Sequence, residues 1–423
     1  MLESLKKNSL KEIIQKIILK TIRLLKFSPY LFKRLSGNAY PELEINLMQI
    51  LRHSFIPSGK KYFGVPQGYF SIRNAKLKIM DDVKGFPNVL WVNHSDTNVS
   101  PPLYGSNNHS LGEIWKTPLA SFILAISNGY VAPSGLVFDY EYAYRNGKWY
   151  YEFPPNYMQT IHVDKLITFV QIWGWNFIHF VFDTLPRIDL SYDLICRETN
   201  IKILVPNPDS SFMLEMLDAL GIDQSRIILQ EPGHVYSADI VYYPHFYNKG
   251  KPQQMGLIPP RSLEKVRSKL TGQFAKPKNK IIYLKRKKGH KRSVENEEDL
   301  LENIEKNLSN GFTLKVLEPY NDWIKDKEVI KQARVVLGPH GGAWSNILFC
   351  KGKTDVIEFL PLASLKMKGK NERPCFYGLS NALNLNYWSI EPFCFEFEKP
   401  GKGMTVPINE VLSVLNKIGI LKT

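Results

Sequence analysis

The chain has 423 residues, 44% hydrophobic and 22% charged, which is the composition of an ordinary globular protein with room for two or three domains. Its formal charge of +15 predicts an anionic partner, which leaves nucleic acid, a membrane or a phosphorylated substrate. The four cysteines exclude CxxC zinc ribbons and dithiol redox motifs, and so sparse a set favours a reducing compartment.

The N-terminal 37 residues are strongly basic. They hold nine Lys and Arg against two Glu, a local charge of +7. Residues 8–27 place apolar side chains on one helical face and basic ones on the other, which predicts an amphipathic helix. Such a helix can lie on a membrane surface or dock on the protein's own body, and both interpretations stay open. Lysines interrupt every apolar stretch here, and no run approaches the roughly 20 residues of a membrane span. We therefore expect a cytoplasmic protein, with possible peripheral contact at the inner face of a membrane.

The first half of the chain alternates strand and helix patterns. Residues 89–92 indicate a buried strand followed by a loop at 93–96, and residues 129–151 a hairpin or meander. A helix over 175–185 is expected to end at Pro186. Further strands are expected at 201–205, 226–229 and 238–242, with a helix at 210–220. Strands separated by helices predict βαβ units and a parallel sheet.

A stretch rich in Gly and Pro, residues 249–260, is interpreted as a linker between domains. Beyond it the chain predicts a second doubly wound α/β unit. Its elements are strands at 280–284, 312–317, 333–337 and 354–359, and helices at 261–270, 297–308, 322–332 and 409–418. The predicted division is a helical region 1–37, a domain 38–255, a domain 256–404 and a closing helix region 405–423, which could cross back to the first domain.

The stretch from Gly338 to Asn346 follows a buried strand and precedes a short helix. Backbone N–H groups at such a helix start, with the helix dipole behind them, form an anion site. Gly341 and Gly342 would let a phosphate approach the backbone, and His340 would add a donor. The stretch fits a diphosphate cradle and equally a plain strand-to-helix turn.

His179 and Asp183 are four residues apart in the predicted helix before Pro186. That spacing puts them on one helical face, where a carboxylate can orient an imidazole. The pair could take a proton from a hydroxyl nucleophile, or could be a buried hydrogen bond that only ties the helix down.

A basic loop follows the strand at 280–284. Arg286 and Arg292 could neutralise a diphosphate, although most charge runs are merely solvated loops. Glu358, near the end of a later strand, could accept hydrogen bonds from a ribose or be a plain exposed carboxylate. The sequence has no Asp-x-Asp triplet, Walker A loop or HExxH, so no metal ligands are predicted and positive charge must come from Arg, His and backbone N–H groups.

Taken together, three blocks resemble glycosyltransferase family 61, which includes capsular-polysaccharide biosynthesis proteins. The first is Asn-x-x-His-x-x-x-Asp with a following Pro-Arg, at Asn176, His179, Asp183, Pro186 and Arg187. The second is a strand ending in Arg, then Arg and Asn-Glu, at Arg286, Arg292, Asn296 and Glu297. The third is the His-Gly turn with its Asn and Phe, at Gly338, His340, Gly341, Asn346 and Phe349.

The resemblance implies an α/β fold of GT-B type, in which two Rossmann-like doubly wound domains face each other across a cleft. It implies inverting transfer from a nucleotide sugar to a glycan or lipid-linked acceptor, without a cofactor or a required metal. The catalytic pair would be His179 and Asp183, with Asp183 favoured as base. The implied diphosphate-binding set is Arg286, Arg292, His340, Gly341, Gly342, Ala343 and Asn346. Glu358 would bind the ribose, and the supporting residues would be Asn176, Arg187, Asn296 and Glu297.

One departure concerns the usual Ala-Gly of the family, which is Gly342-Ala343 here, with Trp344 next. If that position needs a positive φ, Ala343 would be strained, and Trp344 would alter the donor pocket. Two other functions stay open: a binding scaffold that has lost catalysis, and a nucleic-acid-binding protein. The second lacks a familiar nucleic-acid module, so no nucleic acid is expected.

Overall fold

The computed structural model describes residues 89–94, 103–105, 119–131, 135, 137–138, 143–144, 159–171, 174–207, 211–231, 234–248, 258–259, 262–274, 279–290, 292–318, 322–361, 375–393 and 403–422. The basic helix predicted at 8–27 and nearly all of the 249–260 linker lie outside these residues, as does the part of the predicted meander beyond 144.

Among the described residues, eight strands form a first sheet in the order β5-β4-β3-β9-β6-β7-β8, with β1 paired to β3. They are β1 Val89–His94, β3 Leu119–Val131, β4 Val137–Phe138, β5 Ala143–Tyr144, β6 Gln159–Thr168, β7 Lys202–Val205, β8 Ile227–Leu229 and β9 His234–Asn248. The predicted parallel pairing holds for β9, β6, β7 and β8. The strands that come before these in the chain pair antiparallel, β3 with β9, β1 and β4, and β4 with β5. The pairings of β3, β4 and β5 confirm, as far as residue 144, the hairpin or meander predicted at 129–151. The sheet is therefore mixed.

The second sheet has the order β11-β10-β12-β13-β14-β2, and every pairing in it is parallel. Its strands are β2 Leu103–Gly105, β10 Lys280–Leu284, β11 Thr313–Leu317, β12 Ala333–Pro339, β13 Asp355–Phe359 and β14 Asn386–Ile390. Central strands of a parallel sheet are covered on both faces, which is why β13 is buried throughout and has a mostly apolar sequence. Strand β2 precedes the predicted linker yet pairs with β14, so the chain contributes to this sheet from both sides of it.

The helices of the described residues are short. They are α1 Phe177–His179, α2 Leu185–Arg197, α3 Phe212–Ala219, α4 Glu264–Thr271, α5 Glu297–Asn307, α6 Trp323–Ile330, α7 Cys375–Ala382 and α8 Ile408–Lys417, with a π turn at Phe180–Thr184 and 3-10 helices at Gln224–Arg226 and Gly342–Phe349. Within the described ranges, none is long and apolar enough to cross a membrane. The apolar face of α8 packs into the core of the second sheet, through Val411, Val414 and Leu415. The expected return of this helix to the first half is not seen in these contacts.

The helix predicted to end at Pro186 instead continues to Arg197. The π turn before it is closed by the N–H of Leu185, which donates to the carbonyl of Phe180. Pro186 therefore stands at the start of α2, where a missing N–H leaves no helical bond unmade. The prediction was wrong because proline blocks the interior of a helix and suits its first turn.

Helix α2 ties the two halves of the chain together. The Oδ1 of Asp189 accepts a hydrogen bond from the N–H of Val266, 2.9 Å away, at the start of α4. Asp189 is buried, and desolvation raises the pKa of its carboxyl to about 6, against the lowering effect of bonds from the Val266 and Lys265 backbone. A single apolar core, shared by residues of both sheets, surrounds this contact.

The Asp189 carboxyl predicts a pH dependence of stability. Because the folded-state pKa is raised, the folded protein binds the proton more tightly than the unfolded chain, and stability falls as pH rises from about 4 to about 6. Asp189→Asn keeps the acceptor and cannot ionise, so it should flatten this slope and gain up to about 2 kcal/mol at neutral pH. Urea unfolding across this pH range measures both effects. Asp193→Asn, on the exposed side of the same helix, is the matched control and should leave the slope unchanged. Equal slopes in wild type and Asp189→Asn would contradict the assignment.

Candidate active site

The turn at the carboxyl end of β12 is built by close approach of two strands. Gly338 has φ of 152°, and a Cβ there would lie 2.7 Å from the carbonyl oxygen of Leu284 in β10. Moving the backbone of either strand to relieve such a contact would destabilise the sheet, so this position requires glycine. The chain then reverses at His340, whose N–H donates to the carbonyl of Phe359 at 3.1 Å. The turn is thus held on both sides by its neighbours in the sheet, at the edge where parallel α/β sheets bind ligands.

Gly341 makes room for a guanidinium. A Cβ at this position would stand 2.0 Å from Nη1 of Arg286, which donates to the carbonyl of His340 at 3.2 Å. Gly342 faces open space, with no atom within 4 Å of the position that a Cβ would take. Ala343 has no positive φ, so the exchange of Ala-Gly for Gly-Ala brings no backbone strain. Of the two glycines, Gly341 is therefore the one at which the local geometry leaves no room for a side chain.

Positive charge accumulates beside this turn. Burial lowers the pKa of Arg286 to about 10, and the neighbouring charge of Arg292 acts in the same direction. The Nε of Arg286 is buried, and no residue in the described part of the chain accepts from it. A half-buried guanidinium beside a second cation is stabilised by a bound anion. The arrangement therefore suits a phosphate or diphosphate group, in agreement with the predicted pairing of Arg286 and Arg292.

His340 is fixed by a buried carboxylate. Its Nδ1 bonds Oε1 of Glu358, and Oε2 of the same carboxylate accepts from the hydroxyl of Tyr387. The side chain of His340 is 16% exposed and that of Glu358 2% exposed. Both oxygens of Glu358 are therefore taken inside the protein. The geometry does not support the predicted ribose contact, because this position of β13 faces the core and not the open edge of the sheet.

His179 and Asp183 form the second imidazole–carboxylate pair. Nδ1 of His179 lies 2.8 Å from Oδ2 of Asp183, which confirms the contact predicted from their spacing. His179 ends α1, and Asp183 lies in the π turn that follows. The imidazole is the more exposed partner, at 23% against 11%. The outer position favours His179 for contact with a substrate, with Asp183 orienting it from behind.

Arg187 anchors the π turn from within. Its Nε donates to the carbonyl of Asp183 and its Nη2 to that of Phe169, each at 2.7 Å. The side chain is fully buried, and desolvation lowers its pKa while Tyr243 and Asp183 oppose that shift. Arg187 thus holds the backbone of Asp183 in place, which is the supporting role predicted for it.

Several predicted site residues are structural. Asn176 caps α1 through the N–H of Ile178 at 2.9 Å, and Glu297 accepts from the hydroxyl of Tyr283 at 2.8 Å. Asn296 exchanges two 2.9 Å hydrogen bonds with the backbone of Val406. These contacts tie chain segments together and occupy polar atoms of all three side chains.

Asn346 and Trp344 lie behind the turn. Asn346 is buried and donates to Asp326 of α6 at 3.3 Å, so it does not reach the open side where a diphosphate would lie. Trp344 is fully buried, and its Nε1 donates to the carbonyl of Pro339 at 2.9 Å. The expected effect of Trp344 on a donor pocket is therefore not observed; its ring is part of the core that supports the turn.

The tertiary structure brings the two pairs to one place. Helix α1 and the π turn lie against the 3-10 helix Gly342–Phe349. Between them sits Phe376, whose ring centroid is 5.4 Å from that of Phe182 and 5.3 Å from that of His340. Sequence reasoning missed Phe376 and Tyr387, since neither belongs to a motif and a lone aromatic gives no signal that separates it from core.

Among the described residues, no group of three His, Cys, Asp or Glu side chains could hold a metal ion.

Comparison with known proteins relates this part of the chain to one protein family. Residues 177–357, from α1 through β13, match the family model described as Glycosyltransferase 61. The match confirms, over these residues, the resemblance to glycosyltransferase family 61 that the three sequence blocks predicted. No curated protein matched the chain.

Gly341 provides a test of the anion site. In Gly341→Ala the new methyl must displace the Arg286 guanidinium, and loss of one charge-assisted hydrogen bond should weaken binding of inorganic pyrophosphate roughly tenfold or more. Gly341 has φ of 164°, an extended conformation open to alanine, so the melting temperature should change little. Gly352→Ala, in the turn before β13, would meet only Asn384 at an ordinary contact distance of 3.8 Å; it is the control and should bind as wild type does. Isothermal titration calorimetry measures the affinities. If both variants bound pyrophosphate equally well, Arg286 would not be part of the anion site.

Proposed function

We propose that this protein is an inverting glycosyltransferase that moves a sugar from a nucleotide-sugar donor to a hydroxyl of a glycan or lipid-linked acceptor. The single observation that carries the proposal is the meeting of two imidazole–carboxylate pairs, His179–Asp183 and His340–Glu358, at the contact between the two halves of the chain. His340 shares its turn with Arg286 and the neighbouring Arg292, whereas Arg187, beside Asp183, is buried and bonded to backbone carbonyls. That asymmetry is what separate leaving-group and nucleophile sites require.

The donor diphosphate is placed in this proposal against the turn at Gly341, in contact with Arg286, Arg292 and His340. Negative charge develops on the diphosphate as the glycosidic bond breaks, and fixed positive groups stabilise that charge most in the transition state. The two arginines supply that charge and His340 supplies a hydrogen-bond donor, so the proposed reaction needs no divalent ion. The parallel second sheet, with the turn at its carboxyl edge, supports donor binding in this half.

The acceptor hydroxyl is placed in this proposal beside His179. As the outer member of its pair, His179 takes the proton while Asp183 fixes the ring and compensates the charge that forms. The acceptor oxygen then attacks the anomeric carbon opposite the departing diphosphate, which inverts its configuration. This assignment exchanges the two roles favoured from sequence, and the exposure of the two side chains is the reason.

The GT-B arrangement, with two Rossmann-like domains across a cleft, belongs to the proposal. It is supported by two α/β sheets whose helices meet at the site. Synthesis of a surface polysaccharide or another glycan is the process in which we place the enzyme. Its family supports that placement.

Variants of the first pair test the mechanism. His179→Ala removes the general base, and kcat should fall by about 100- to 10,000-fold with little change in the dissociation constant for the donor. Asp183→Asn should also lower kcat, because the amide cannot compensate an imidazolium. His162→Ala, an exposed histidine on β6, is the matched control and should transfer at the wild-type rate. The assay screens a panel of nucleotide sugars and follows product with a supplied acceptor.

The outcomes separate the alternatives. Near-normal transfer by both variants would remove the pair from the mechanism. Nucleotide binding without turnover by wild type, for every donor and acceptor, would identify a scaffold that has lost catalysis. Steeply salt-dependent binding to oligonucleotides, with none to nucleotide sugars, would identify a nucleic-acid-binding protein instead.

We also propose peripheral membrane contact through residues 1–37, which would bring the site to a lipid-linked acceptor. The support is the local charge of +7 and the amphipathic pattern of the sequence. Removal of residues 1–37 should release the protein from liposomes that contain anionic lipid, measured by co-sedimentation. Binding that persists unchanged after the deletion would overturn the proposal.

A further inference from the structure

Glu358 stands in the middle of a buried hydrogen-bonded row. One oxygen bonds Nδ1 of His340 and the other accepts from the hydroxyl of Tyr387. Glu358 and Tyr387 are each 1% exposed, and they lie on neighbouring parallel strands, β13 and β14. The row therefore runs from the interior of the second sheet to the turn that carries His340.

The charges of this row follow from burial. A buried carboxylate is costly unless it is paired and hydrogen-bonded. Burial, and then the Glu358 carboxylate, raise the pKa of Tyr387 well above its usual value, so the phenol keeps its proton and donates it to Glu358. The other titratable groups that Tyr387 meets are Cys375 and Tyr377 of α7, and burial raises the pKa of Tyr377 to about 12. Among the described residues, His340 is thus the one side chain in contact with Glu358 that can carry a compensating positive charge.

The same contacts decide where the rest of the imidazole points. Nδ1 is turned inward to Glu358, and the ring meets Phe376 at 64° between planes. Nε2 is not among the buried side-chain atoms left without a partner, and no described residue bonds it. It therefore reaches the exposed side of the ring, on the same turn as Gly341 and beside Arg286.

We propose that Glu358 and Tyr387 are positioning residues that act on glycosyl transfer through His340. Glu358 holds His340 as an imidazolium with Nε2–H directed at the open face of the turn, and Tyr387 holds Glu358 in the orientation that this requires. The Nε2–H then donates a hydrogen bond to the leaving diphosphate and remains on nitrogen throughout. The inference rests on the proposed function, and it replaces the ribose contact expected of Glu358.

A double-mutant cycle tests this dependence. Glu358→Gln keeps the shape and an acceptor but loses the charge, and His340→Gln removes the imidazole; each should lower kcat by about 100-fold. If Glu358 acts through His340, the double variant should lose no more than His340→Gln alone. Additive losses would show that Glu358 contributes separately and would overturn the proposal.

Tyr387→Phe provides the finer test. It removes one hydroxyl and should lower kcat about tenfold, with KM for the donor nearly constant, because His340 acts on charge that forms in the transition state. Ser389→Ala is the matched control, since Ser389 lies on the same strand with a buried hydroxyl that has no partner in the described structure. It should leave kcat unchanged. Equal loss in both variants would indicate a packing effect only.

Nuclear magnetic resonance of histidine-labelled protein separates this inference from the proposed function, because it requires no turnover. The Nδ1 proton of His340 should exchange slowly in wild type and Ser389→Ala, and should exchange faster in Glu358→Gln, whose neutral amide is a weaker acceptor than the carboxylate. A wild-type protein without transferase activity but with this signal would contradict the proposed function alone. An active wild type whose signal and kcat do not respond to Glu358→Gln would contradict the positioning role alone.

Discussion

The packing of one aromatic ring joins the two halves of the active site. Phe376 contacts Phe182, which adjoins Asp183, and also the ring of His340. Both imidazole–carboxylate pairs take their relative position from this contact. Phe376 is itself buried, so the contact lies within a core shared by both sheets and is as rigid as that core.

The two imidazole–carboxylate pairs, His179–Asp183 and His340–Glu358, are arranged in the same way. In each, Nδ1 faces a carboxylate that is more buried than the imidazole. Their surroundings differ: His340 shares its turn with Arg286, whereas the arginine behind Asp183 is bonded to backbone carbonyls. The same arrangement of imidazole and carboxylate therefore occurs in two different electrostatic surroundings, and the proposed function assigns a different role to each pair.

Much of the second half could be predicted from sequence. Strand β10 and the short helix after the glycines were predicted from apolar runs and their breaks, since a parallel sheet covered on both faces leaves that pattern. The first sheet was harder. Nothing local shows that β3 and β9 pair antiparallel, because strand direction depends on where a distant chain segment returns.

The sequence by itself determined the α/β class, the resemblance to glycosyltransferase family 61, the contact of His179 with Asp183 and the accumulation of basic residues near Gly341. These depend on spacing along one element or on residue type. Only the tertiary structure decided that Glu358 bonds His340, that Asn346 faces inward and that the helix runs through Pro186. The physical reason is that a side chain's partner is set by which strands lie side by side and which face is covered, and neither is a property of the neighbouring residues in the chain.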